Sequence, residues 1–481
     1  MNENKPKKIA SAAPKFEKQI EEILGKSFDV VIYRFKTTQD EAVIVHIDGM
    51  ASKDLIDRDI IKPLKRKDFD GDINLTLNVP FESETSFEKV IQAILDGNAI
   101  VYYAKAVYVA DLKQFDKRSV EMPQGEEVNR GPKEGFTESI LTNMSMLRRK
   151  LKTTNLIYEK LVLGKQSSTI IAIAYLDNIV NRGVLDKVRE KLQKIDTDAI
   201  LESGYLEQYI EEHPLCIISG IGLTQKPDVV AAKIIEGRVA ILCDGTPHTL
   251  LIPELFLENV HTAEEFYDRT IKANITRFLK MLALTLNVLL PGVSVAILTY
   301  HQEMVPFTFL ISFIQATQGT PLTEAAELFF LAIMFELLKE AGLRTPKVIG
   351  ASITIVGGLI LGETAVSAGI VGAPSVIIIA ISSVTSLAVT NLSEFNTVYR
   401  FLFLMLGSIM GIIGIAVGFI IMLTQLISTE SFGIPILASF SKEELKDSVI
   451  RFPLKSMKYR PESIAKNNIV RNNFTQDGKG N

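Results

Sequence analysis

Hydropathy splits this chain into parts that need different solvents. Residues 1 to about 275 carry dense charge. Residues 279 to about 427 hold few charges and long apolar runs, and 428–481 turn polar again. No soluble surface accommodates an apolar stretch of that length, so the sequence predicts a membrane protein with a large hydrophilic N-terminal half. At 481 residues there is room for about three ordinary domains. The formal net charge of −4 argues against a nucleic-acid partner, which usually demands a basic surface. Cys216 and Cys243 are too few for a disulfide framework and read as small buried hydrophobes in a reduced compartment. With no tryptophan, an interfacial Trp belt is absent. The N-terminal MNENKPKKIASAAPKFEKQIEEI has no apolar run of signal-peptide length, which predicts a cytosolic first half. The C-terminal KNNIVRNNFTQDGKGN is Asn/Gly-rich and expected to be disordered.

The hydrophilic half reads as α/β. SFDVVIYRF (27–35) and EAVIVHIDGM (41–50) are strand-like, KDLIDRDIIKPL is an amphipathic helix, and DGNAIVYYAKAVYVADL (96–112) is a hairpin turning near Ala104–Lys105. The order then recurs. SSTIIAIAYLDNI (167–179) is a strand, RGVLDKVREKLQKI (182–195) a helix, and EGRVAILCDGTPHTLLIP (236–253) a hairpin with an Asp-Gly-Thr-Pro turn. At a constant shift of 129, Ile44, Ile47, Asp48, Lys53, Ile56, Asp57 and Arg58 fall on Ile173, Leu176, Asp177, Arg182, Leu185, Asp186 and Lys187, and at a shift of 140 Gly97 falls on Gly237. Either the segment is duplicated, or two strand–turn–helix units share composition by chance. Both readings give two α/β subdomains. Between them a helix is expected from about Thr137, with Ile140, Leu141, Met144, Leu147 and Leu151 on one face. Arg148, Arg149 and Lys150 are read as its solvated, dipole-matched end rather than as an RNA or lipid patch. These readings divide the chain into an N-terminal α/β subdomain (1–125), a helical linker (126–160), a second α/β subdomain (161–270), a transmembrane domain (275–430) and a cytosolic C-terminal tail (431–481).

Catalytic signals are poor. His46, His213, His248, His261 and His301 are scattered without metal-ligand spacing. SGIGLTQKPD (219–228) lacks the Walker and dinucleotide patterns, and no nucleophile elbow occurs. The expectation is a protein that is not an enzyme and takes no cofactor or metal.

In the apolar half, 279–300, 373–392 and 401–427 are long enough to span. FTFLISFIQA (307–316) is too short, LTEAAELFFLAIMFELLKEA (322–341) is amphipathic, and 347–372 is Gly-rich with a carboxylate at Glu363. Basic residues Arg269, Lys272, Arg277 and Lys280 precede the first span, Lys339, Arg344 and Lys347 sit mid-way, and six more follow the last span between Lys442 and Arg460. By the positive-inside bias both termini are cytosolic and the number of crossings is even. About four spans result, at 279–300, 322–341, 373–392 and 401–427, with 307–316 and 347–372 as re-entrant or broken segments; six spans remain open. Irregular backbone at membrane depth survives only inside protein or against water. A carboxylate there costs a few kcal/mol, about 2.5–3.5 for Asp on insertion scales. On a helix Ile355, Leu359, Glu363 and Val366 share one face, and they are the pore-lining candidates. The pairs Gly358/Gly362, Gly407/Gly411 and Gly414/Gly418 are small-xxx-small helix-packing candidates.

Several of these stretches together resemble the A subunit of the GerA-type nutrient germinant receptors of bacterial endospores. The resemblance rests on RGPKEGFTESILTN (130–143), ESGYLEQYIEEHP (202–214), KPDVVAAKIIEGRVAILCDGTPHTLLIP (226–253), ELLKEAGLRTPKVIG (336–350), VGGLILGETAV (356–366), SFGIPILA (431–438) and DSVIRFP (447–453). It covers about 130 to 455. Departures are Gln225-Lys226-Pro227-Asp228 in place of a Thr-Glu-Arg-Pro-Asp-like run and Glu363 where a Gln is common; the first 120 residues match only in outline. The resemblance implies a multi-pass spore inner-membrane subunit that works with a transporter-like B subunit and a lipoprotein C subunit. It implies homo-oligomerisation into a nutrient-gated cation channel that starts germination. Two alternatives are a paralogous accessory channel or transporter subunit without a nutrient-sensing partner, and a head whose paired lobes bind a solute themselves. A secondary transporter would show inverted repeats across the membrane half, and none is visible.

Overall fold

A computed structural model describes residues 8–69, 71–73, 79–114, 126, 128, 130–214, 216–345, 357–358, 360–437, 448–466 and 468–471. The first α/β unit opens with helix α1 (Ala13–Leu24), then strands β1 (Val30–Lys36) and β2 (Glu41–Ile47). Helix α2 (53–64) follows, π-helical over Asp57–Ile61, then β3 (Phe81–Glu84), α3 (Phe87–Leu95), β4 (Ala99–Tyr103) and β5 (Ala106–Ala110). The strands form one antiparallel sheet, ordered β1-β2-β4-β5-β3. Helices cover both faces. Val43, Val45 and Ile47 pack with Phe16 and Ile20 of α1 and Val90 and Ile94 of α3, while Ile44 packs with Ile56, Ile60 and Leu64 of α2. Burial on both faces is why β2 reads as a continuous apolar run instead of an alternating one. The β4–β5 turn bends at Ala104 (φ 47°) and Lys105 (φ 65°), two left-handed residues in succession as a type I′ hairpin requires.

The second unit repeats this plan. Helix α4 (Ile140–Lys150) leads into β6 (Leu156–Leu163) and β7 (Thr169–Leu176), followed by α5 (Arg182–Gln193), α6 (Ser203–Ile210), β8 (Gly222–Thr224), α7 (Pro227–Ile235), β9 (Val239–Cys243) and β10 (Thr249–Ile252). Its sheet runs β6-β7-β9-β10-β8, the same order position for position. The central register is the same too. Ile44 faces Val101 in the first sheet and Ile173 faces Ile241 in the second; 44 to 173 is 129 and 101 to 241 is 140, the two shifts already visible in the sequence. The two sheets thus share one strand order and one central register. Helix α6 has no counterpart among the described residues of the first unit.

The units are joined by a buried ion pair. Arg148, 1% exposed, donates Nε to Asp29 Oδ2 at 3.0 Å and Nη2 to the same carboxylate at 2.8 Å and to Ser27 Oγ at 3.1 Å. The expectation that 148–150 is a solvated helix end therefore holds for Arg149 and Lys150, which pair with Glu134 near the surface, and fails for Arg148. Leu141, expected on the apolar face of this helix, is 37% exposed.

The apolar C-terminal half consists of α8 (Thr270–Tyr300), α9 (Phe307–Thr317), α10 (Glu324–Leu343), α11 (helical over 360–367), α12 (Ala373–Ser386), α13 (Ser393–Met410) and α14 (Ile412–Ser428). Among the described residues, α8 alone is long and apolar enough by itself to cross a membrane; α12 and the helical stretch Thr390–Met410 pass jointly but are bent by 110°. The run 401–427, expected as one span, is two helices. Gly411 (φ 61°, ψ −140°) breaks it, and α14 folds back on α13 so that Gly418 lies against Phe403. Helices α8 and α13 run parallel, meeting at Asn287–Arg400 near one end and at Tyr300–Ser408 near the other. Helix α10 runs against α13, with Lys339 beside Ser393 and Phe329 beside Phe401.

Candidate functional site

Pro291 lies inside α8 and has no N–H to give to the carbonyl of Asn287 one turn earlier. That freed carbonyl accepts instead from Ser382 Oγ of α12 at 2.9 Å. The Asn287 side chain reaches the same neighbourhood. Its Oδ1 accepts from Ser382 at 3.3 Å and from Arg400 Nη1 at 3.5 Å. Arg400 Nη2 in turn donates to Glu336 Oε1 of α10. Thr397 Oγ1 donates to that same oxygen at 3.3 Å, and Lys339 Nζ lies 3.8 Å from Glu336 Oε2 while donating to Ser393 Oγ at 2.8 Å. A polar ladder thus runs Lys339–Glu336–Arg400–Asn287–Ser382 through four helices. Asn287 and Ser382 are fully buried and Arg400 is 1% exposed. Ionisable groups at such depth persist only when paired, and in membrane proteins they mark working regions.

A second buried carboxylate lies further along. Glu327 of α10 accepts from the Gly372 N–H at 2.9 Å and from Ser375 Oγ at 2.6 Å. Between it and the ladder sits an apolar layer of Val295, Leu328, Ile379 and Leu404, all buried.

The head joins the bundle through a third polar cluster. Glu265, buried, accepts from Arg277 Nε and Lys280 Nζ of α8, each at 2.7 Å. Two of the four basic residues ahead of the first span are therefore neutralised inside the protein. Asn274 exchanges two hydrogen bonds with the Arg451 backbone, of 3.0 and 2.7 Å, and His261 Nε2 lies 2.8 Å from the Ser448 carbonyl, so the C-terminal segment is fastened to the start of α8. Burial, reinforced by the Arg277 cation, pushes the His261 pKa down to about 4. A cavity of about 1000 Å³ opens here, between the second α/β unit, the 390–395 elbow and residues 448–461. Burial pushes Glu254, on its wall, up to about 7. Among the described residues no three His, Cys, Asp or Glu side chains converge as metal ligands.

Of the pore-lining candidates, Ile355 and Leu359 lie outside the described residues. Glu363 is exposed, and Val366 is half-buried against the apolar layer. A Cβ at Gly358 would sit 3.4 Å from the Phe335 ring, at Gly362 2.9 Å from Val376, at Gly407 2.5 Å from the Gly292 carbonyl oxygen and at Gly418 2.9 Å from Phe403; at Gly414 it would strike the Leu406 carbonyl. Gly411 forms the turn beside Tyr300. The ladder itself escaped sequence reasoning. Glu336 and Arg400 are visible as charges in or beside apolar runs, but their pairing spans 64 positions.

Residues 18–463 match the family model described as Bacillus/Clostridium GerA spore germination protein. The chain is 35% identical to spore germination protein KA of Bacillus subtilis (strain 168), over 95% of this chain and 88% of that one. It is 34% identical to the membrane protein YfkQ of the same organism, named as uncharacterized, over 91% of this chain and 88% of that one. Among solved structures it is similar to the N-terminal domain of the A subunit of the Bacillus megaterium spore germinant receptor GerK3, at 29% identity and a TM-score of 0.41, covering 53% of this chain and 99% of that one.

Proposed function

Because the chain belongs to the GerA family of spore germination proteins, we propose that it is the A-type subunit of a nutrient-responsive germinant receptor in the spore inner membrane. In this reading the parts are the α/β subdomains 1–125 and 161–270, the linker 126–160, whose α4 and the start of β6 pack into the second unit, the transmembrane domain 275–430 and the tail 431–481, with both termini in the cytosol. Its partners are a transporter-like B subunit, a lipoprotein C subunit and further copies of itself. The copies enclose a cation path whose wall includes Ile355, Leu359, Glu363 and Val366, with Gly358, Gly362, Gly407, Gly411, Gly414 and Gly418 bringing helices close. The chain does no chemistry on the nutrient; it converts binding elsewhere in the complex into opening of the path.

The observation that carries this reading is the family match, which runs through the head and the membrane half alike. The polar cluster at Glu265, which ties α8 to the head, supports it as a route by which head and bundle move together. The test is deletion of the gene and restoration in trans, with cation release followed on adding nutrients. Loss of release in the deletion and its return on restoration are expected. Unchanged release for every nutrient would contradict the reading.

The similarity to a membrane protein whose name carries no germination role favours a second reading, an accessory membrane subunit without a nutrient-sensing partner. Co-purification separates the two. B- and C-type subunits retained with the tagged chain support the first reading, and their absence supports the second.

A further inference from the structure

We propose that the Lys339–Ser382 ladder is a water-filled half-path within a single subunit, open at the head-facing end of the bundle and closed at the Val295, Leu328, Ile379 and Leu404 layer. It is separate from the oligomer-centred path above and does not depend on the receptor reading.

Four side-chain atoms around the ladder find no hydrogen-bond partner among the described residues: Asn287 Nδ2, Ser383 Oγ, Asn396 Oδ1 and Arg400 Nε. Their residues are 0%, 1%, 2% and 1% exposed, so bulk solvent does not serve them. An unmade hydrogen bond at a buried polar group costs about 1–3 kcal/mol, more for a charged one. Four such losses in one neighbourhood would erode much of the stability of a bundle this small, unless a ligand meets them.

The chemistry of the four atoms selects that ligand. Asn287 Nδ2 and Arg400 Nε only donate, Asn396 Oδ1 only accepts, and the Ser383 hydroxyl does both. An anion would leave Asn396 Oδ1 unmet. A metal cation would leave Asn287 Nδ2 and Arg400 Nε unmet and face the Arg400 charge. Water satisfies donors and acceptors together, and buried waters ordinarily make two to four such bonds.

Exposure along the ladder shows which end is open. Side-chain exposure is 18% at Lys339 and 25% at Glu336, falling to 2% at Arg400. Lys339 reaches Ser393, and residues 390–395 also line the junction cavity. From Ser393 to Arg400 along α13 is roughly 10 Å at the helical rise. Beyond Ser382 the layer is apolar among the described residues and offers a water file nothing to bond, which makes it a closure of the dewetting kind.

The experiment uses the full chain carrying Cys216→Ser and Cys243→Ser, reconstituted in vesicles. Ser383→Cys, Thr397→Cys and Ile379→Cys are made singly. Each is exposed to 2-sulfonatoethyl methanethiosulfonate, an impermeant aqueous thiol reagent, from the head side or from the opposite side. Expected is labelling of Ser383→Cys and Thr397→Cys from the head side, severalfold faster than Ile379→Cys. Should Ser383→Cys fail to assemble, Thr397→Cys on the more exposed rung decides by the same comparison. The proposal is overturned if the ladder variants are as inert as Ile379→Cys, or if they react only from the opposite side. Neither nutrient nor partner subunit enters the assay, so its failure is distinguishable from failure of the receptor reading.

Discussion

Arg148 shows what a single residue hides from its sequence. Local context offers three cations at a helix end, a pattern that solvates well. Asp29, 119 positions away, turns one of them into a buried bond between two folding units. Removing one partner strands the other charge, which typically costs about 3–5 kcal/mol. Arg148→Ala is therefore expected to lower the melting temperature of the full chain sharply. Arg148→Met combined with Asp29→Leu is expected to recover most of the loss. Equal melting of Arg148→Ala and wild type would refute the lock. His261 makes a pH-dependent prediction. It is half-buried against the Ser448 carbonyl, faced by Arg277, Glu265, Glu258 and Lys233, and its pKa of about 4 lies below the ordinary 6.5. Below pH 6.5 the unfolded chain takes up a proton that the folded chain refuses, so stability is lost as pH falls from 6.5 toward 4, by roughly 3 kcal/mol in all. His261→Gln is expected to flatten that slope in thermal melts recorded across the window.

At the scale of elements, β1, β2, β4, β5, β7, β9 and β10 and helices α2, α4 and α5 are legible because their apolar patterns are strong and the Asp-Gly turn is local, whereas α1, β3, α3, β6, α6, β8 and α7 are short or interrupted by charge and are not. The hairpin at Gly411 was not. An apolar run of 27 residues reads as one span unless the positive φ of the turn at Gly411 is known, and that turn packs beside Tyr300. The α8–α13 crossing is equally a matter of neighbours. Gly292 and Gly407 approach so closely that a methyl group on Gly407 would meet the Gly292 carbonyl oxygen at 2.5 Å. Gly407→Ala is expected to destabilise by about 1–3 kcal/mol, as overpacking does. Gly183→Ala, on helix α5 where the new carbon would have its nearest neighbour at 3.4 Å, is expected to be neutral or to gain about 0.4–1 kcal/mol. The pair of melts separates tight helix packing from a general dislike of alanine.

For the whole molecule, one strand order and one central register serve twice in the head. The sequence carries the register in two constant shifts but not the strand order. In the C-terminal half the sequence located the apolar stretches. It directed attention to Glu363, which is exposed, while a buried charge, Arg400, acquires its meaning from Asn287 and Glu336 on other helices. The central claim is that copies of this chain, with their partners, make a cation path that a nutrient opens. Ionic current through the purified full-length complex in planar bilayers tests it most directly, for wild type and for Val366→Ala. The account predicts cation-selective current steps that need nutrient in wild type and occur without it in Val366→Ala. Assembled complexes that pass no current above a lipid-only control, in both forms and with nutrient present, would contradict it.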